Sequence, residues 1–93
     1  MELRNFSNPD IVYKRALEIF GTIELKESTR KDKKYMIRGE FSNNKWVHFG
    51  QWGYKDFTYT FDPIKRLNFQ KRNHKWKNSE KNKPSFLSYY LLW

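Results

Sequence analysis

The stretch 45–93 interleaves bulky aromatics, cations and short chain-breakers, and two kinds of chemistry are open to it. It holds all four tryptophans, Trp46, Trp52, Trp76 and Trp93, and both histidines, His48 and His74. Its cations are Lys45, Lys55, Lys65, Arg66, Lys71, Arg72, Lys75, Lys77, Lys81 and Lys83, against Asp56, Asp62 and Glu80. The first chemistry is grip on a polyanion: ammonium and guanidinium groups meet phosphates, and exposed rings stack on bases. The second is general acid–base work, for which His48 and Tyr54 are the candidate pair of a small metal-free nuclease. The same residues also suit a plain solvated surface over an aromatic core, so the pattern needs positioning before it means function.

Other chemistries lack their parts. There is no cysteine, which excludes disulfides and thiolate metal sites. Two histidines without cysteine leave no structural zinc set, and the spacing of Asp56 and Asp62 reads as two helix caps rather than a Mg²⁺ pair. The chain has no phosphate-cradling Gly-rich loop, nucleophile elbow or zinc-binding helix motif. No cofactor and no metal are therefore expected, and catalytic residues are assigned only under the His48–Tyr54 alternative.

Ninety-three residues make one domain, 1–93, which buries about 60–70% of its unfolded surface. Aromatics are 19% of the residues and each ring can bury about 150–250 Å², so an aromatic core is expected. Net charge is +9 and the isoelectric point about 9.9, which favours a polyanion, nucleic acid first, over a neutral partner. No apolar run reaches the ~20 residues that cross a bilayer, and the polar start MELRNFSNPD is not read as a signal peptide. No membrane partner is expected. Oligomeric state stays open, a dimer included.

The elements follow from local signals. After a lead-in over residues 1–8, Asn8 or Ser7 caps a helix that opens at Pro9, runs to about residue 20 and stops at Gly21. Residues 22–25 read as a short strand, and 26–34 (KESTRKDKK) as an exposed loop whose Arg30, Lys31, Lys33 and Lys34 could touch phosphate. Alternation over 35–41 and 45–51 predicts a hairpin turning at Ser42-Asn43-Asn44. Ile37, Val47 and Phe49 then face the core, and Arg38, Trp46 and His48 share the opposite face. Gly50 and Gly53 mark a bend or a close backbone approach. Asp62-Pro63 opens a helix to about His74, with Ile64 and Leu67 inward. Residues 76–83 are a polar connection, and Asn82 caps a last helix starting at Pro84, with Phe86, Leu87, Tyr90 and Leu91 in one stripe. The fold class is α+β: a small antiparallel sheet, its hairpin at about 34–51, with an N-terminal helix and two C-terminal helices packed on it.

His48-Phe49-Gly50, Tyr54, Asp56-Phe57-Thr58, Asp62, Lys65-Arg66, Phe69, Arg72, His74 and the closing Phe86-Leu87-Ser88 and Leu91-Leu92-Trp93 form an ordered series. It resembles a functionally uncharacterised family of small basic proteins encoded by large double-stranded DNA viruses. The resemblance spans about residues 33–93. The chain departs from that pattern at Gln51-Trp52-Gly53 and Thr60-Phe61. The resemblance implies a viral origin, hence a place inside the infected host cell, in a viral factory, the nucleus or the virion, but it implies no activity.

The physical reading supplies a non-enzymatic, largely sequence-independent nucleic-acid binder; the resemblance to proteins of DNA viruses implies double-stranded DNA ahead of RNA, and packaging, condensation or a replication accessory role. Its expected contacts are Arg38, Lys45, Trp46 and His48 on the hairpin, Lys55 after it, Lys65, Arg66, Lys71, Arg72 and Lys75 along the following helix, and Lys77 in the connection beyond it. A virion structural or adaptor protein, with its rings anchoring a viral protein partner, is the alternative.

Overall fold

Local chemistry sets the helix starts. Asn8 accepts from the Asp10 amide at 3.1 Å and Pro9 takes the first turn, so α1 runs Pro9–Phe20. It ends at Gly21, whose amide returns to the Leu17 carbonyl. Asp56 caps the single turn α2, Phe57–Thr60. Asp62 accepts from the amides of Ile64 at 2.9 Å and Lys65 at 3.2 Å, opening α3, Pro63–Arg72. The computed structural model describes residues 2–93; Met1, part of the expected lead-in, lies outside the described residues.

Three strands form an antiparallel meander in the order β1 (Ile23–Glu27), β2 (Lys33–Gly39), β3 (Val47–Gln51). Leu25 faces Ile37, and Ile37 faces Val47; Tyr35 faces Phe49. This puts Ile23, Leu25, Tyr35, Ile37, Val47 and Phe49 on the inner face, as strand alternation requires. α1 packs on β1, bringing Val12 and Ala16 to the core. The last helix, α4 (Pro84–Leu87), packs on β3 and widens into a π turn over Ser88–Leu92. That helical run buries Phe86, Leu87, Leu91 and Leu92 together.

Several expectations fall to tertiary packing. The core is mixed rather than aromatic: Tyr35, Phe49 and Phe86 sit among Leu3, Val12, Ile37, Leu87, Leu91 and Leu92, and no tryptophan is fully buried. The lead-in is packed, with Leu3, Phe6 and Ser7 buried. Residues 26–34 are not one loop, since Lys26 and Glu27 end β1 and Lys33 and Lys34 begin β2. The hairpin connection is longer than expected, a 3-10 turn over Glu40–Ser42 followed by Asn43 and Asn44 in the left-handed region. α3 stops at Arg72, and a 3-10 turn covers His74–Asn78. Asn82 does not cap α4; Lys83 holds that position without a side-chain bond. Ile64 and Leu67 point outward, 70% and 51% exposed, because α3 instead buries Phe69.

Candidate functional site

A buried ion pair fixes the frame of the surface. Lys34 Nζ donates to Asp56 Oδ2 at 3.1 Å, and the two side chains are 2% and 0% exposed. Asp56 Oδ1 accepts from the Thr58 amide at 3.0 Å and from the Thr58 hydroxyl. The Thr58 hydroxyl meets Ser7 Oγ at 3.1 Å, and the Tyr35 hydroxyl donates to Ser7 Oγ at 2.7 Å. Each of these five side chains thus has a partner, which a dry interior demands. Burial pulls the Lys34 ammonium below the usual lysine range, and Asp56 opposes that pull. Burial likewise pushes the Tyr35 phenol above its usual range, opposed by the bond to Ser7. Gly50 makes the room. It has φ +81°, and a Cβ there would lie 2.9 Å from Leu92 Cδ1 and 3.2 Å from Lys34 Cβ. The network ties β2 to the lead-in and to α2, and it removes Lys34 from the candidate phosphate contacts.

The open face of the sheet carries Arg38, Trp46 and His48, as alternation predicts, but its charge is spent locally. The Arg38 guanidinium donates to Glu24 Oε1 at 2.9 and 3.1 Å, across the Glu24–Arg38 register pair. It also lies 4.4 Å from the Trp46 ring centroid, and Lys26 Nζ lies 5.7 Å from the same ring, both within cation–π range. His48 Nδ1 bonds Ser28 Oγ at 2.7 Å. Burial and the nearby cations Arg30 and Lys33 hold this imidazole below its usual pKa, with Asp32 opposing. No hydrogen bond joins His48 to Tyr54, which stands 64% exposed in the β3–α2 loop. Lys45 precedes β3 and is exposed, and Lys55 Nζ lies 5.2 Å from the Tyr59 ring.

The segment from α3 onward is different. Lys65, Lys71, Arg72, Lys75, Lys77, Lys81 and Lys83 are exposed, with Glu80 the one acid after the Asp62 cap. Among the described residues none of these cations is in an ion pair. Lys71 and Arg72 fall in the last turn of α3, where the helix dipole favours positive charge. Arg66 is the exception. It is half-buried, 4.6 Å over the Phe57 ring, and its Nε is buried without a partner. Arg15 approaches the same ring at 5.9 Å and donates to the Leu91 carbonyl at 3.2 Å. Burial, then Arg66, lowers the Arg15 pKa against Asp56 and Glu18.

Aromatic stacking holds this ridge in place. Phe69 of α3 lies flat on Trp93, centroids 4.5 Å apart and planes 7° apart, while Trp76 meets Phe69 edge-on at 5.8 Å. The Tyr90 hydroxyl donates to the Lys77 carbonyl at 2.9 Å, and Asn73 Nδ2 to the Phe69 carbonyl at 3.1 Å. Between the ridge, the sheet end and the last helix lies a cleft of about 580 Å³, lined by Lys33, Lys34, Gly50, Gln51, Tyr54, Phe69, Arg72, Asn73, Trp76, Pro84, Ser85, Ser88, Leu92 and Trp93. Of the expected contacts on the hairpin and the following segment only Arg72 reaches it, joined by Lys33 and Lys34 from the charged run. Lys33, Tyr54 and Trp93 come from three separate elements, and no local sequence signal pairs them. Among the described residues no cluster of histidine and carboxylate side chains could hold a metal ion, and no helix is long and apolar enough to cross a membrane.

The sequence family described as "Family of unknown function (DUF5754)" matches residues 23–73, more than half of the chain, and the chain belongs to it. The matched span runs from β1 through α3 and so contains Lys34, Gly50, Asp56 and Thr58 of the buried network. No curated protein and no solved structure matches the chain.

Proposed function

We propose that this family member is a non-enzymatic nucleic-acid binder that grips double-stranded DNA through the ridge at residues 63–83, without reading sequence. The observation that carries this is the row of exposed cations there, with one acid and no ion pair among the described residues. Unpaired cations on a fixed scaffold neutralise phosphates and release counterions, the sequence-independent part of DNA binding. The outer sheet face adds less, because Arg38 is already held by Glu24. The resemblance to small basic proteins of large double-stranded DNA viruses supports a role in genome packaging, condensation or replication inside the infected cell. The test is affinity for a generic duplex as a function of salt. About four to six phosphate contacts give a log–log slope of about −4 to −5. A flat response, or no retention on DNA at low salt, refutes the reading.

A second reading is favoured by one observation. Phe61, Ile64 and Leu67 are 56%, 70% and 51% exposed, and Phe61 holds a left-handed backbone at φ 51°, uncommon for a bulky residue. Such rings and aliphatics anchor protein partners in a virion adaptor. Nuclease treatment of an infected-cell extract before pull-down separates the two: partners lost with nuclease support DNA binding, and partners retained support the adaptor.

A further inference from the structure

We infer that the cleft between the ridge and the last helix holds one unpaired nucleotide, its base against Trp76 and its phosphate between Lys33 and Arg72. This rests on the nucleic-acid reading above and names the ligand that one part of the surface takes. Three observations carry it. The cleft, about 580 Å³, falls within the range of small-ligand sites, roughly 300–1,000 Å³, and is too small for a duplex. Its lining is cationic at Lys33, Lys34 and Arg72 and contains no acidic side chain. Lys34 is engaged by Asp56, which leaves Lys33 and Arg72, neither in an ion pair among the described residues, to meet an anion. The wall is aromatic and fixed: Trp76, 36% exposed, is seated edge-on against Phe69, itself stacked on Trp93. A base needs such a ring, because stacking is the sequence-tolerant contact of single-strand binders.

A second hollow of the molecule, about 510 Å³, shows that the charge pattern is selective. Its lining mixes Glu2, Asp10 and Glu27 with Arg4 and Lys26, and Arg4 lies 3.6 Å from Asp10. An anion gains little there.

The experiment compares three probes on the full chain: labelled single-stranded oligothymidylate, a duplex of equal length, and free dTMP. The oligomer should quench tryptophan emission, and Trp76→Ala should weaken oligomer binding about tenfold, a larger loss than the same change causes for the duplex, with the circular dichroism unchanged. Trp76→Phe, which keeps a stacking face, should restore most of the loss, whereas Trp76→Leu, which fills the seat against Phe69 without one, should not; equal recovery by both would mark a merely structural role and overturn the inference. Lys33→Gln with Arg72→Gln should flatten the single-strand salt slope by about one to two. Quenching by dTMP as strong as by the oligomer identifies a free nucleotide as the source; much tighter oligomer binding identifies a strand. If the duplex binds but neither oligomer nor dTMP quenches, or if Trp76→Ala leaves single-strand binding intact, the cleft inference falls and the ridge stands. If the oligomer and dTMP bind but the duplex does not, the ridge falls and the cleft stands. If no probe binds, both fall.

Discussion

The outer sheet face and the α3 ridge are both basic and aromatic, yet they present opposite electrostatics. On the sheet, antiparallel pairing sets Glu24 directly across from Arg38, and Trp46 covers what remains of the guanidinium. On the ridge, Asp62 is used at the helix start and no acid follows until Glu80, so the charge of the cations stays uncompensated. Net charge counts both regions alike. What separates them is the supply of acids within reach of each cation, which helix spacing and strand register control.

A third cation sharpens the contrast by its burial. Lys34→Met strands the Asp56 carboxylate in the interior and should destabilise the fold by about 3–5 kcal/mol, with Lys34→Met/Asp56→Asn recovering part of it, read by urea denaturation. Next in size, replacing Lys65, Lys71, Lys75 and Lys77 with Gln should lower duplex affinity roughly 100-fold at low salt without changing the circular dichroism, because exposed cations bind phosphate and carry little stability. Equal losses from Arg38→Gln with Lys45→Gln would break the comparison, since those changes should cost about threefold or less. Glu24→Gln should do the reverse, freeing Arg38 and raising duplex affinity by about twofold. The smallest effect concerns His48. Its folded pKa lies below the ordinary 6.5, so the stability it contributes is full above that value and is lost as pH falls through the folded one. Its NMR titration midpoint should accordingly fall below 6.5.

Local signals carried much of the fold. Asn8, Asp56 and Asp62 read as caps because a short oxygen-bearing side chain acts within three residues, and the hairpin read from alternation alone. The ion pair was hidden because Lys34 lies in a charged run and its partner stands 22 residues further on. Ile64 and Leu67 read as inward because periodicity shows a stripe, not what waits across from it; Phe69 won the interior through Trp93, several elements away. The candidate site divided the same way. The ridge was plain in composition, whereas the cleft draws Lys33, Tyr54, Trp76 and Trp93 from separate stretches.

Phe69 is the one residue of α3 that is buried, and a ten-residue helix is marginal in isolation. The hold of α3 on the interior therefore rests on a single ring. Phe69→Ala would let the row of lysines fray, and a binding assay alone would misread that loss as a missing phosphate contact. A side chain that carries no charge is the keystone of the cationic face.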